Sequence, residues 1–383
     1  MSRYSHISAA IPMLAEYDNL EALLDRFRGQ GCQHFSLYIC VNNVEGGFGY
    51  EDNQRCLARL REVHDLPLTI LDRSSEGLGW SGKKKGVGWA RKLLFDQIAA
   101  DNGGNGDELV VSLDADTDFD SDYFQALLDT FNKYPECHAF DVPYYHPLSG
   151  DDSLDRAMLR YECYMRHYLI QLQRIRNPYA FSALGSAIAF PLWAYRKVGG
   201  ITPLQGGEDF YLLQKFVKTG SLIHQFDEPY CRYPMMVRPQ GRMSSRVPFG
   251  TGPAIAKGVE GMELSYPFFS EEAFAKVKET YDAFPKLYEH DLPTPMSDFL
   301  CQQLATTELW APLRKNFKSR NLFVHACTER VDGLRILQYI KHLDNSILPT
   351  TALPVDFCHD PIANLDHYRF MLFEEEMSRR FNY

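Results

Sequence analysis

The chain has 383 residues, 45% hydrophobic and 23% charged, with a formal net charge of −10 at pH 7. This is enough apolar material for one large domain and a smaller appended one, and the acidic balance, with no basic run longer than Lys83-Lys84-Lys85, argues against a nucleic-acid partner. No stretch approaches about eighteen apolar residues, so no membrane span is expected, while peripheral contact with the inner face of a membrane stays open.

In chain order, HISAAIPML (6–14) reads as a buried strand, and Leu20, Leu23, Leu24 and Phe27 then recur at helical spacing until Gly29. FSLYICVNN (35–43) is a second strand, a polar helix covers about 51–63, and LTILDR (68–73) is a third strand. After the glycine-punctuated SSEGLGWSGKKKG, the residues Val87, Ala90, Leu94 and Ile98 give a helix one apolar face. ELVVSLD (108–114) is the fourth strand, and Phe124, Leu127, Leu128 and Phe131 mark the next helix, with Ser121 or Asp120 as its N-cap. This alternation predicts an α/β fold with a mainly parallel sheet covered on both faces. Ligands of such sheets bind beyond the carboxyl ends of the strands, where Asn42, Arg73 and Asp114 fall.

A long helix is predicted over 153–175, with Leu154, Met158, Tyr161, Met165, Tyr168, Leu172 and Ile175 as its packing seam. ALGSAIAF (183–190) reads as a further strand, and a helix follows Gly207. Beyond about 255 the segments 270–283, 296–315 and 326–343 are helical in pattern, so the expected division is 1–255 for the α/β domain and 256–383 for a helical C-terminal subdomain. The nine cysteines include no CxxC pair and the N-terminal residues lack a hydrophobic signal core, which leads to the expectation of a reduced, cytoplasmic protein. Histidines show no HxxxH spacing, so no zinc site is expected.

The fourth strand runs into aspartates at every second position: Asp114, Asp116, Asp118, Asp120 and Asp122. Like charges this close repel, and a divalent cation is the first compensating partner to consider. A calcium EF-hand loop would need glycine at its sixth position and glutamate at its twelfth, where Phe119 and Gln125 stand, so that reading fails. An aspartate-dependent phosphatase would make Asp114 a nucleophile, but its motif wants Thr or Val where Asp118 stands. Asp118, Asp120 and Asp122 read as a solvated loop and a helix start, which leaves Asp114 and Asp116 to hold Mg²⁺ or Mn²⁺ together with phosphate oxygens. Lys83, Lys84 and Lys85, after Gly77, Gly79 and Gly82, offer positive charge and backbone N–H groups to a diphosphate, or simply form a solvated helix start.

Taken in order, the strand end IPMLAE, CVNN, the glycine-basic loop, LDAD and GGEDF (206–210) resemble the inverting family 2 glycosyltransferases of GT-A fold, over roughly residues 6–250. The resemblance implies a Rossmann-like nucleotide-diphospho-sugar transferase with a helical C-terminal extension, moving a sugar from a nucleoside diphosphate, a UDP-sugar first, to an acceptor hydroxyl. It puts Asp114 near the ribose, Asp116 on the metal and Asp209 as general base with Glu208 beside it. Pro12 and Glu16 match the first strand end and Asn42 the base-reading position. Ala15 stands where asparagine is usual, and Asn42 where an acidic residue often is. Arg73 and Lys83 join the donor site in this reading. By themselves, Glu208 and Asp209 read first as an acidic first helical turn.

In RPQGRMSSRVPFGTG (238–252), Arg238, Arg242 and Arg246 are spaced by four before two glycines, which suits a loop that closes over phosphate, with Arg242 and Arg246 on the diphosphate; scattered surface arginines are the alternative. Gln240 is followed by Gly-Arg-Met, not by the x-x-Arg-Trp of processive polysaccharide synthases, which suggests one sugar per encounter. The other function classes are the phosphatase and a non-catalytic sugar-nucleotide-binding module.

Overall fold

A computed structural model describes residues 3–103, 107–223, 235–244, 246, 250–261 and 266–381. Of the arginine-bearing run 238–252, residues 245 and 247–249 lie outside the described residues, as does Cys231.

The alternating first half forms as its periodicities require. Strand β1 (His6–Met13) is followed by α1 (Tyr17–Arg28), β2 (Phe35–Asn42), α2 (Tyr50–Arg61), β3 (Leu68–Arg73), α3 (Val87–Asp101) and β4 (Glu108–Ser112). β1 pairs in parallel with both β2 and β4, and β2 with β3. The apolar residues of α1 expected to face inward, Leu20, Leu23, Leu24 and Phe27, are fully buried. The pairing Asn42↔Arg73 sets the ends of β2 and β3 side by side, and Leu113 N donates to Ala10 O (3.1 Å) just past the end of β4. Loops leaving β1, β2 and β4 therefore open on one edge.

Next come β5 (Thr117–Phe119), α4 (Tyr123–Lys133), β6 (Ala139–Asp141), α5 (Asp152–Arg174), β7 (Ile188–Pro191), α6 (Leu192–Lys197), α7 (Glu208–Thr219), β8 (Leu222–Ile223) and β9 (Val237–Pro239). The main sheet has seven strands in the order β3-β2-β1-β4-β7-β6-β8, and β7 alone runs against the others, so the sheet is mixed and mainly parallel. The strand expected over 183–190 is only β7, four residues long. The short β5 and β6 and the β5–β9 pair carry too few residues for periodicity to reveal. The N-cap of α4 is Asp122, not Ser121 or Asp120, and its side chain makes no cap bond.

Helices α8 (Thr251–Val259), α9 (Glu271–Leu287), α10 (Ser297–Leu304), α11 (Ala311–Asn316), α12 (Arg320–Arg330), α13 (Gly333–His342) and α14 (Ile362–Phe381) complete the chain. The helix expected over 296–315 is broken after Leu304, where Ala305 turns to φ 47°, and α11 begins with a proline in its first turn. The one expected over 326–343 is two helices, because Asp332 caps α13 by accepting from Arg335 N. α14 and α8 were not foreseen.

The residues fall into two compact units, one of 1–162, 181–263 and 377–383 and the other of 163–180 and 264–376, where the sequence placed a single boundary at 255/256. In the first unit Arg380 donates to both the backbone and the carboxylate of Asp141 (3.0 Å each), all buried. In the second, Arg166 pairs with Glu376 (2.5 Å) and lies over the Phe373 ring, while Phe323, Ile336, Ile340 and Leu365 are fully buried. α5 is buried more widely than one stripe: Asp155, Glu162 and Arg166 are inside, while Tyr161, Met165 and Tyr168 of the expected seam are only half-buried. Hydropathy cannot register such residues, because a charged side chain goes inside only when its partner is there. No helix among the described residues is long and apolar enough to cross a membrane.

Candidate active site

The carboxyl ends of β1, β2 and β4 border a cavity of about 620 Å³, whose lining includes Pro12, Glu16, Asn42, Asp114, Asp116, Arg242 and Arg246. All of these lie in the first unit. The strand register supplies the first five. The two arginines arrive through β5 and β9, whose antiparallel pairing sets Asp118 opposite Arg238 and so carries the following residues back to the aspartate loop.

The crowded aspartates are compensated by arginines. Asp114 Oδ1 accepts from Arg91 (2.6 Å) and Asp116 Oδ2 faces Arg242 (2.8 Å). Asp118 is held by Arg26 (2.7 Å) and Arg238 (3.2 Å), and Arg238 also binds Asp120 (2.5 Å). Asp118 and Asp120 are therefore not a merely solvated loop. At Asp118 burial opposes ionisation, yet the hydrogen bonds from Arg238 and Arg26 outweigh it and lower its pKa. At Asp116 burial dominates, with the Asp114 charge adding to it and Arg242 opposing, and its pKa is raised to about 6.

Glu16 forms the other half of the charged wall. Its Oε1 takes Arg242 and Arg246 (2.6 Å to the latter), its Oε2 takes Asn19 (2.6 Å), and Arg246 also donates to Leu14 O (2.7 Å). Both arginines thus line the cavity on carboxylate partners.

Arg91, on α3, is the residue the sequence reading missed. Its side chain is 6% exposed and bridges Asp114 to Glu208 at the start of α7. Space for it depends on Gly185, where a Cβ would come within 2.5 Å of the guanidinium nitrogens. A helical arginine flanked by apolar neighbours reads as a surface cation from sequence, and its partners lie 23 and 117 residues away.

Glu208, expected beside the general base, is buried and ion-paired with Arg91. Asp209 is partly accessible and does not line the cavity. Its pKa is raised, first by burial and then by Glu208, against the opposing Arg91 charge and the Phe210 N–H bond (2.8 Å).

The other expected donor residues separate. Asn42 borders the cavity, but its amide is engaged: Nδ2 donates to Met13 O (3.0 Å) and Cys40 O (3.2 Å), and Oδ1 accepts from Trp80 Nε1 (3.2 Å). Arg73 does not line the cavity; its guanidinium lies over the Trp80 ring at 5.4 Å. Lys83 is exposed on a turn away from the lining, and Lys85 faces the cavity in its stead. The N–H groups of Gly77 and Gly79 donate to the Glu45 carboxylate (3.0 and 2.8 Å), so these two amides serve the loop itself and not a diphosphate. Trp80, Phe48, Val44 and Gln205 also line the cavity. Among the described residues no group of three or more His, Cys, Asp or Glu is arranged to hold a metal ion.

No protein-family profile and no curated protein matches the chain. Solved structures similar to it include the mannosyltransferase PcManGT from Pyrobaculum calidifontis in complex with GDP-Man and Mn²⁺, at 12% identity and TM-score 0.40, covering 98% of this chain and 87% of that one. TarS residues 1–349 from S. aureus in complex with UDP-GlcNAc is similar at 9% identity and TM-score 0.43, covering 85% and 91%. A mycobacterial protein is similar at 15% identity and TM-score 0.39, covering 69% and 76%. All three TM-scores lie below 0.5.

Proposed function

We propose that the chain is a glycosyltransferase that moves a sugar from a nucleoside diphosphate to an acceptor hydroxyl by one direct displacement, with Mg²⁺ or Mn²⁺ assisting. The observation that carries this reading is the Arg91 bridge: one buried guanidinium ties the carboxylate beyond β4 to the acidic pair opening α7. An anion-binding cavity and a carboxyl of raised pKa are thereby fixed in one frame.

Asp116 and Asp114 are oxygen donors beside a cationic wall, which fits Mg²⁺ or Mn²⁺, ions that take one or two carboxylates and complete their shell with phosphate oxygens and water. Held there, the ion would neutralise charge on the departing diphosphate. Arg242 and Arg246 exchange Glu16 and Asp116 for phosphate oxygens, and Lys85 adds a third positive charge. Asp209 accepts the acceptor's proton at a carboxylate oxygen, and its raised pKa makes it a stronger base than an ordinary aspartate. One displacement inverts the anomeric centre. The phosphatase reading needs Asp114 as nucleophile, and nothing in the geometry favours it.

The test pairs turnover with binding. With a panel of nucleoside diphosphate sugars and Mn²⁺ or Mg²⁺, Asp209→Asn is expected to lower transfer roughly a hundredfold or more while calorimetric donor affinity holds. NMR of the wild-type product is expected to show the anomeric configuration opposite to the donor's. Normal turnover in the variant removes the base assignment, and a retained configuration removes the single displacement.

A further inference from the structure

The cavity lining is of two kinds. Lys85, Asp114, Asp116, Arg242 and Arg246 are charged, whereas Leu14, Val44, Phe48 and Trp80 are apolar. The apolar residues are neighbours: Val44 bridges to Trp80, and the chain just past Phe48 packs on Leu14, so that a Cβ at Gly49 would lie 3.0 Å from Leu14 Cδ1. The two groups meet at Leu14, whose carbonyl accepts from Arg246. A nucleoside diphosphate has the same division, a charged diphosphate at one end and a flat aromatic base at the other.

Of the uncharged polar side chains in the lining, Gln205 lies against Gly86 next to Lys85 and Ser244 accepts from Arg246 (3.1 Å), while Asn42 and Asn43, 4% and 2% exposed, stand directly before Val44 in the apolar group. Both amide ends of Asn42 are engaged by Met13, Cys40 and Trp80. Asn43 donates to Val44 O (2.7 Å) and accepts from Asn53 (3.2 Å). Turning either toward a ligand would leave buried partners unsatisfied. Phe48, in contrast, is 70% exposed while lining the cavity, together with Val44 at 43%, so its ring is open to a ligand.

Resting on the glycosyltransferase reading, we propose that the donor's base stacks on Phe48, beside Trp80 and Val44, and that the site therefore discriminates only weakly among bases. Every base offers a π-face, so stacking tolerates exchange, whereas strong discrimination requires groups built to hydrogen-bond one base edge. Under this proposal a UDP-sugar is one of several donors that the site accepts, and Asn42 does not read the base.

The experiment measures, by calorimetry in Mg²⁺, the binding of UDP, CDP, ADP and GDP and of base-free ribose 5-diphosphate to wild type, Phe48→Ala and Phe48→Trp. The four nucleotides are expected to fall within about tenfold of one another, and Phe48→Ala to weaken all four by roughly 5- to 150-fold. Ribose 5-diphosphate is expected to bind wild type and Phe48→Ala alike, and Phe48→Trp to restore nucleotide affinity. Phe48 is exposed, so its removal leaves the fold in place. A preference above about a hundredfold for one base, or unchanged nucleotide affinity in Phe48→Ala, overturns the stacking site and leaves the transferase reading standing. If neither the nucleotides nor ribose 5-diphosphate binds wild type, both fall together.

Discussion

Arg91 is the residue on which the electrostatics of the site turn. Asp114, Glu208 and Asp209 all act on its charge, and burial, which works against its ionisation, is outweighed by them, so that its pKa rises. Arg91→Met keeps much of the side chain's volume but leaves a buried Glu208 with no counter-charge. The expected cost is about 3–5 kcal/mol, measured by urea denaturation near neutral pH. The variant also loses the Arg91 charge that opposes the raised pKa of Asp209, so the deficit is expected to narrow as pH falls from about 8 to about 5. A deficit under about 1 kcal/mol would mean that the pair is solvated like a surface bridge.

At the scale of elements, the contact that matters is between the first turn of α3 and the segment leading to α7. Gly88 lies so close to that segment that a Cβ would stand 2.1 Å from Leu204 O and 2.7 Å from Leu204 N. Helix propensity by itself expects Gly88→Ala to stabilise by about 1 kcal/mol. The packing expects the opposite sign, because the obstacle is backbone and cannot rotate away. Since Gln205, Glu208 and Asp209 follow that segment, transfer is expected to drop along with stability. Thermal melting and turnover of the single variant decide the sign. The positions of α1 to α4 were legible from hydrophobic spacing, as were β1 to β4, because each is a local repeat of apolar residues. The pairing of β5 with β9, three residues each and 118 positions apart from Phe119 to Val237, left no such repeat, yet it delivers Arg242 to Asp116.

For the molecule as a whole, stability against pH depends on carboxyls shifted in both directions. Asp65, Asp72 and Asp118 are lowered, while Glu108, Asp116 and Asp209 are raised. Glu108 isolates one sign of the effect away from the cavity. It opens β4 in the centre of the sheet, accepts from Ser8 Oγ (2.6 Å), and is raised to about 7 by burial, with the Ser8 bond opposing. A carboxyl raised on folding contributes stability that is complete below its unfolded value of 4.5 and is lost as pH climbs through about 7. Glu108→Gln keeps an acceptor for Ser8 and carries no charge. It is expected to be more stable than wild type by about 1–3 kcal/mol at alkaline pH and to match it near pH 4. Parallel denaturation curves at the two pH values check this, and equal stability at both would mean that Glu108 ionises without strain.

The sequence by itself determined the alternation of strands and helices, the mainly parallel sheet, and the placing of Asp114 and Asp116 just past a strand end, because these follow from side-chain period and from the rule that loops open at strand ends. It also marked Arg242 and Arg246 as candidates for a diphosphate, but not the carboxylates of Glu16 and Asp116 that they face. Only the tertiary structure decided that each of the first four aspartates has an arginine partner, that Asn42 is engaged by Trp80, that Lys85 and not Lys83 faces the cavity, and that Arg91 joins Asp114 to Glu208. The reason is the range of the forces. Hydrophobic period is written in neighbouring residues, whereas a buried charge is tolerable only beside its counter-charge, and that neighbour is chosen by the folded path of a chain whose partners lie as far as 239 residues apart, as Arg380 and Asp141 do.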